Sequence, residues 1–534
     1  MPPFLPIGLS NFPSLRLSNT VYVDKTKLIC GLAAENQRLF LVRPRRFGKS
    51  LLLSTFESLF QDGLKYFAGL EAEKIWNDQT YQVVRIDFSP LKIYRSYSDF
   101  QTQLESRIRS AFARAGFDYR PESGILFFDA LESWLLSLKN ASLVLLVDEY
   151  DAPLTAHIDD SDVFSTIKQL LAQFYGIIKS ADQAFRFVFI TGITKFQGTS
   201  IFSEFNNLQD LTLQKDYGAL LGYTDSEIKR FFPEYLEASM KTLGLTEHEL
   251  MELMRKHYDG YCFEETCTQH VFTPWSVLSF FKTPSRGFKP YWYDSAGQPA
   301  VLLKFLTHHA LSHPEYYDSP KIASYRSLAA TQNYENIDET TLLVQTGYLT
   351  LKHFENDVFT LGYPNKEVAT AMAQLYCDEL LRNASESRLK LARLPKILAN
   401  GTLEEIVALF NTAFEAVNYQ DYPVTSEHAC RAFLHVLLLG AAMVTTAEFS
   451  NAHGRSDLEV EAGDRHWIFE LKFATGASAA QRQLDDALEQ IRSRRYGAGH
   501  LSERRIMRAA LVFDGRARRF THCAELLEES PRSL

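Results

Sequence analysis

Apolar residues in the first part of the chain gather in runs that end abruptly in polar ones. Leu39-Phe40-Leu41-Val42 stops at Arg43, Leu143-Val144-Leu145-Leu146-Val147 at Asp148-Glu149, and Phe185-Arg186-Phe187-Val188-Phe189-Ile190 at Thr191. Runs this continuous predict strands buried on both faces, as in a parallel sheet. Val83–Phe88 adds another strand, and the stretch from Phe100 to Ala115 repeats its apolar residues at helical spacing. The alternation predicts a doubly wound α/β domain over residues 1–285. The texture changes at Thr283-Pro284-Ser285-Arg286-Gly287 and Pro290-Tyr291-Trp292, which marks a boundary. Residues 286–395 read as helical, ending in Thr341–Leu351 and then, after the polar Glu355-Asn356-Asp357, in Val358–Leu361. A helix followed by such a hairpin predicts a small winged-helix-like module, and without a run of Lys or Arg its expected role is structural rather than DNA-reading. Residues 396–534 form a last α/β domain, where a short strand carrying Asp457 and a second, Trp467–Phe473, flank the turn Ala462-Gly463-Asp464.

The polar ends of the runs carry candidate chemistry. Arg43-Pro44-Arg45-Arg46-Phe47-Gly48-Lys49-Ser50 follows a buried strand and ends as the phosphate-binding pattern G-x-x-x-x-G-K-[ST] ends, with Arg43 in place of the first glycine. In that pattern backbone N–H groups wrap the phosphates, the lysine meets the β and γ oxygens, and the hydroxyl holds Mg²⁺. Arg46, Phe47, Gly48, Lys49 and Ser50 are therefore the expected nucleotide-binding loop. Asp148 is the expected partner of Ser50 at the Mg²⁺, and Glu149 the group that polarises the attacking water. An Asp-Glu pair also ends many strands with no chemistry attached, and order along the chain is what favours the functional reading. Thr191 and Thr194 are candidates for sensing the γ-phosphate, Thr191 first because it directly follows the apolar run; turn-satisfying threonines are the plain alternative.

Composition changes this picture little. A chain of 534 residues, 46% hydrophobic and 23% charged, has the material for several cores. It lacks a signal-peptide pattern and any window approaching the ~18 apolar residues of a membrane helix, so the expected compartment is the cytoplasm, without membrane association. Six scattered cysteines make no disulfide framework for this length. His257, Cys262, Cys267 and His270 match no zinc-finger spacing and read as a packed turn. A net charge of −9 argues against a chain coated with nucleic acid, so charge has to be read region by region.

The C-terminal region carries a second chemistry. Glu470 follows Asp457 by thirteen positions, and Lys472 completes Glu-x-Lys. In a hairpin of period two, Glu470 and Lys472 share a face that Asp457 can join from the neighbouring strand. Two carboxylates so placed can hold Mg²⁺ beside a scissile phosphate, while the lysine orients or deprotonates water and offsets charge in the transition state. Glu448, just before the first strand, is a further acidic candidate for the metal. As bare spacing the pattern is common, and a solvated ion pair is its plain alternative. Its setting supports chemistry: the Gly454-Arg455-Ser456-Asp457 turn, a following helix bearing Gln483, Gln490 and Tyr496, and nine arginines between Arg492 and Arg519 facing only Glu489, Glu503 and Asp514. Such a basic stretch suits a phosphate backbone.

Together these strings resemble the bacterial AAA-ATPase-like family, whose altered P-loop reads as Arg43 to Ser50 does here. Matching strings are Tyr22-Val23-Asp24-Lys25-Thr26, Val147-Asp148-Glu149-Tyr150-Asp151-Ala152-Pro153-Leu154, Ile201 to Asp210, Tyr258-Asp259-Gly260-Tyr261, Pro274-Trp275-Ser276 and Gln345-Thr346-Gly347-Tyr348-Leu349-Thr350. The C-terminal part resembles the PD-(D/E)XK nuclease-superfamily domain that commonly follows this ATPase. The resemblance implies a P-loop NTPase parallel-sheet domain, a helical, winged-helix-like middle region and a restriction-endonuclease-like α/β domain, with ATP and Mg²⁺ as cofactors and Arg43 as part of the family's own loop. It implies cleavage of nucleic acid, with DNA the expected substrate, under ATP control and in a bacterial defence or mobile-DNA setting. Asp457, Glu470 and Lys472 would be catalytic there, with Glu448 and Gln490 near the centre. The alternative is a nucleotide-driven switch whose nuclease-like domain binds nucleic acid or a protein partner without cutting. No arginine finger can be assigned, which leaves a homo-oligomer open.

Overall fold

The computed structural model describes residues 3–35, 37–92, 94, 96–195, 208–292, 300–305, 311–329, 338–381, 391–441, 443–447, 450–451, 454–494 and 504–526. The chain divides into two compact units, one of residues 1–309 with 320–368 and one of residues 310–319 with 369–534. No helix among the described residues is long and apolar enough to cross a membrane.

The first unit is built on a five-stranded sheet. Its strands are β1 (Arg38–Val42), β2 (Gln82–Asp87), β3 (Leu143–Asp148), β4 (Phe185–Gly192) and β5 (Gln209–Asp210), in the order β2-β3-β4-β1-β5 and parallel throughout. Every residue of β1, β3 and β4 is buried, as their unbroken apolar runs require, whereas β2 at the edge alternates. One face lies under α1 (Lys49–Asp62), whose Phe56 and Phe60 meet Phe187 and Phe189 of β4. The other face, with Val84, Ile86, Leu145, Val147, Val188 and Ile190, packs on α2 (Tyr97–Ala113), α3 (Phe127–Leu136) and α4 (Ser161–Ser180). Alternation then puts Asp87, Asp148 and Thr191 on the α1 face, at the C-terminal ends of their strands, where open parallel sheets bind ligands.

The helix and hairpin expected near residues 341–361 are present within this unit. Helix Glu339–Thr346 leads into β7 (Thr350–Glu355) and β8 (Val358–Gly362), and β6 (Lys321–Ser324) pairs with β8 on its other edge. The hairpin closes on Asn356 and Asp357, both at positive φ, the conformation in which a two-residue turn matches the twist of its strands.

The second unit has a mixed sheet: β9 (Val444–Ala447), β10 (Leu458–Ala462), β11 (Arg465–Ala474), β12 (Arg505–Asp514) and β13 (Arg519–Glu525), in that spatial order. Only β11 and β12 run parallel, joined across α7 (Ala477–Ser493) once α5 (Leu403–Ala416) and α6 (Glu427–Gly440) have preceded the sheet. Odd-numbered residues of β11 (Trp467, Phe469 and Leu471) pack towards α5 and α6. Ile468 faces α7 through Ala480, Leu484, Ala487 and Ile491, and Glu470 and Lys472 follow it on that face. A capping box, Thr402 with Glu405, starts α5, and Ser426 caps α6 by accepting the Ala429 N–H.

Candidate functional sites

The loop after β1 turns into α1 through Gly48, which sits at φ 97, and Arg46 stands at φ 71 just before it. Only glycine adopts such a backbone without strain, which explains Gly48 at the helix start. Arg43 is buried beneath the loop. Its guanidinium donates to the carbonyls of Val42 and Thr212, both at 2.9 Å, and of Tyr217 at 3.3 Å, and lies 4.5 Å over the Phe263 ring. Burial pushes its pKa down and Asp210 pushes it up; with three carbonyls and a ring face around it, the group remains a cation. The rest of the loop is gripped by segments far along the chain. Phe47 lies edge-on to Tyr261 and Phe263, the Trp292 indole donates to the Arg45 carbonyl at 3.4 Å, and Arg46 stacks 4.2 Å over Trp275. Gly347, at φ 90, leaves room for Pro44, where a Cβ would come within 2.7 Å of the proline ring. The Tyr258–Tyr261, Pro274–Ser276 and Gln345–Thr350 strings thus hold the loop's shape.

Lys49 is buried with its Nζ donating to the carbonyls of Arg43 at 2.8 Å and Pro44 at 3.0 Å, so it braces the loop from within. Burial lowers its pKa and Asp148 and Glu149 raise it. Burial raises the pKa of Asp148, opposed by a hydrogen bond with Ser50 and by Lys49 and Arg85. Ser50 and Asp148 are thus neighbours where β3 ends. Glu149 stands at φ 47, half-buried, 3.6 Å from Lys92. The two threonines separate. Thr194 donates its hydroxyl to Asp151 at 2.7 Å, while the Thr191 hydroxyl is buried with no hydrogen-bond partner among the described residues. Asp151, unassigned from sequence, also accepts the N–H groups of Ile193 and Thr194 and so fixes the loop after β4. A cavity of about 540 Å³ opens beside the loop, lined by the polar Lys49, Ser50, Lys92 and Glu149 and by the apolar Val21, Leu221, Trp275 and Leu278. Its size is that of a small-molecule site, and its mixed lining suits a nucleotide. The neighbouring Ser50 and Asp148, and the Thr191 hydroxyl that has no partner among the described residues, fit Mg²⁺ and a phosphate.

In the second unit, β10 and β11 pair Leu458 with Phe469, which sets Asp457 opposite Glu470. Asp457 Oδ2 accepts the Leu471 N–H at 2.8 Å, and Oδ1 lies 3.3 Å from Arg431 of α6. Glu470 Oε1 accepts from Lys472 Nζ at 2.8 Å, and its Oε2 is buried without a partner among the described residues. Burial, then the neighbouring Asp457, pushes the Glu470 carboxyl up to about 7. Burial pulls Lys472 down, but Glu470 outweighs it and the net shift is upward. Glu427, at the first position of α6, lies 3.8 Å from Lys472 and is itself raised by burial. Sequence spacing could not find Glu427 or Arg431, which reach the hairpin from a separate helix; their only signal is an acidic first turn with a basic residue one turn later. Behind this group Ser456 and His466 bracket the buried Glu459, at 2.7 and 2.9 Å.

Among the described residues, no three His, Cys, Asp or Glu side chains form a ready-made metal cage. Asp457 and Glu470 nevertheless fit a divalent cation, because a buried carboxylate oxygen without a partner among the described residues, near a second carboxylate, is what such an ion relieves. Glu448 and Tyr496 lie outside the described residues. Gln483 and Gln490 are half-buried on α7. The arginines of the basic stretch that are described disperse: Arg504 pairs with Glu461, and Arg518 stacks 4.4 Å over Tyr419. His257 packs on Phe288, 4.8 Å between ring centres, and the Cys262 thiol points at the Glu264 carbonyl.

Arg43→Gly restores the common P-loop glycine yet removes the cation that ties the loop down. It should lower stability by about 2–4 kcal/mol and weaken nucleotide binding rather than improve it, measured by denaturant unfolding and calorimetric titration with a non-hydrolysable ATP analogue. Glu470 has a raised folded-state pKa, so its contribution to stability is complete below its ordinary value of 4.5 and lost as pH rises through about 7. In metal-free protein, Glu470→Gln should therefore gain stability relative to wild type on going from about pH 5 to about pH 8; parallel melting temperatures at the two pH values would refute this.

Comparison with known proteins finds a family match in each unit. Residues 6–202 match the family model described as a predicted AAA-ATPase, and residues 426–523 match that of the PD-(D/E)XK nuclease superfamily. The chain is also similar to an uncharacterized protein encoded in the vnfD 5′ region of Azotobacter chroococcum mcd 1, 28% identical over 496 residues that cover 90% of this chain and 92% of that one. Strands β1–β4 and the phosphate-loop turn thus lie within the stretch that matches the predicted AAA-ATPase model, and the hairpin carrying Asp457, Glu470 and Lys472 within the stretch that matches the PD-(D/E)XK nuclease superfamily.

Proposed function

We propose that this chain is an ATP-regulated, Mg²⁺-dependent nuclease that cleaves DNA in a bacterial defence or mobile-DNA setting. The observation that carries the reading is Asp457, just before β10, beside β11 with its Glu470, with Lys472 bonded to one Glu470 oxygen and the other buried without a partner among the described residues. A bound divalent cation would supply Lewis acidity at the scissile phosphate and lower the pKa of water. Asp457 and Glu470 would hold it. Lys472, a cation at ordinary pH, neutralises charge that gathers on the phosphate and orients the attacking water through Nζ. Ser456, Glu459 and His466 keep the strand end of Asp457 rigid.

In the first unit Lys49 would leave the loop carbonyls to meet phosphate oxygens, Ser50 and Asp148 would hold Mg²⁺, and Glu149 would orient water. Control by ATP is supported by how the loop is held. The Trp292 indole bonds the Arg45 carbonyl, while the Trp292 backbone N–H donates to Glu367 at 2.7 Å, close to where the chain passes into the second unit. A loop that moves on nucleotide binding therefore pulls on that point. The second reading, a nucleotide-driven switch that binds nucleic acid or a partner without cutting, is favoured by one observation: Arg431 lies against Asp457 where a metal would sit.

Purified protein with Mg²⁺ or Mn²⁺ should cut DNA at a rate that changes with ATP. Asp457→Ala and Lys472→Ala should each reduce cutting by about 10²-fold or more while leaving ATP binding intact, and Lys49→Ala should remove the response to ATP. Cleavage that survives both C-terminal substitutions would overturn the nuclease assignment. Nucleic-acid binding without any product would select the switch.

A further inference from the structure

We infer that Arg431 is a displaceable counter-ion of the C-terminal acidic pair: it occupies Asp457 until a divalent cation takes that oxygen from it. The inference rests on the reading that Asp457 and Glu470 take such a cation. Each of these carboxylates has one oxygen secured by β11, Asp457 Oδ2 by the Leu471 N–H and Glu470 Oε1 by Lys472. One oxygen of each is left for a metal. That of Glu470 is buried and has no partner among the described residues, and that of Asp457 faces Arg431 Nη1 at 3.3 Å.

The geometry is that of a holding contact rather than a locked one. Lys472 meets Glu470 at 2.8 Å, the length of a strong charge-assisted bond. Arg431 meets Asp457 through a single nitrogen at 3.3 Å, outside the ~2.7–2.9 Å of such bonds and without the paired geometry that guanidinium and carboxylate can form. Its Nη2 is turned instead to His428 Nδ1, at 2.7 Å and one turn back on α6. Both partners are nonetheless mostly buried, with side-chain exposures of 12% and 13%, so solvent does not screen the contact away. In one medium, a divalent ion at ~2.1 Å from an oxygen attracts it about three times as strongly as a guanidinium at 3.3 Å, before either ion is dehydrated.

Charge accounting gives the contact a purpose. Among the described residues, Glu427, Asp457 and Glu470 lie here with Arg431 and Lys472 to balance them, and His428 adjoins Arg431. Without Arg431 the described metal-free site would set three carboxylates against the Lys472 cation, where burial and then Asp457 already raise Glu470. Arg431 therefore stabilises the empty site and lowers its affinity for metal, by one and the same interaction. It is a positioning residue, set on α6 and acting through Asp457.

The test uses the full chain stripped of metal, with Mn²⁺ as the probe. Arg431→Met should melt at a lower temperature than wild type without metal, bind Mn²⁺ about tenfold more tightly by calorimetry and gain more in melting temperature when Mn²⁺ is added. Arg431→Lys, which keeps the charge, should fall between the two. In an Asp457→Asn background the Arg431→Met gain should vanish, as a double-mutant cycle requires. A merely structural arginine would lower the melting temperature without tightening Mn²⁺ binding. Equal or weaker Mn²⁺ binding by Arg431→Met overturns the inference, and should that variant not fold, equal or weaker binding by Arg431→Lys does so. Tighter binding with no DNA product from any form upholds this inference while removing the nuclease reading.

Discussion

A charge carried on the end of a buried strand has to be met by another charge or by hydrogen-bond donors, since leaving it bare in the interior costs several kcal/mol. Both units are organised by this requirement. In the first, the fully buried β3 delivers Asp148 to the sheet edge, where Ser50, Lys49 and Arg85 oppose the effect of burial. Asp151, three residues on, is met by two backbone N–H groups and the Thr194 hydroxyl. In the second, β11 buries Glu470, and Lys472, two residues further along the same strand, supplies the cation.

The same rule explains Arg43. An arginine in place of a loop glycine would be an obstruction if its side chain turned towards the phosphates. Instead it turns under the loop, where the Thr212 and Tyr217 carbonyls and the Phe263 ring accept it. The cost of burying a guanidinium is offset by tying together segments separated by more than two hundred positions in sequence. A loop held this way has little freedom of its own, so what it does on binding nucleotide passes to the aromatic residues around it: Tyr261, Trp275 and Trp292.

The two sites differ in readiness. At the P-loop Ser50 and Asp148, which would share a metal, are neighbours, and a cavity stands open beside the loop. At the hairpin Asp457 is engaged by Arg431, and one Glu470 oxygen has no partner among the described residues. A carboxylate raised by burial and then by its neighbour, and a carboxylate met by an arginine, are two responses to negative charge held out of water.

Much of this was legible in the amino-acid sequence, because it depends on local periodicity. Unbroken apolar runs can only be strands covered on both faces, so β1, β3 and β4 and the acids at their ends followed directly. Period-two alternation put Glu470 and Lys472 on one face, and the turn at Gly463 brought Asp457 across from them. Glu427 and Arg431 were not legible: they belong to a helix whose approach to the hairpin depends on how Phe433, Leu434 and Leu437 pack against Leu458, Phe469 and Leu471. Sequence favoured Thr191 over Thr194 by position alone; that Asp151 takes the Thr194 hydroxyl, while the Thr191 hydroxyl has no partner among the described residues, was not legible. Nor could spacing show that Arg43 points beneath its loop, since the residues that receive it come from distant segments. Sequence by itself determined which residues carry charge to the ends of buried strands. Only tertiary structure decided which charges meet them there, because partners across a core are selected by packing between elements and leave no period in the chain.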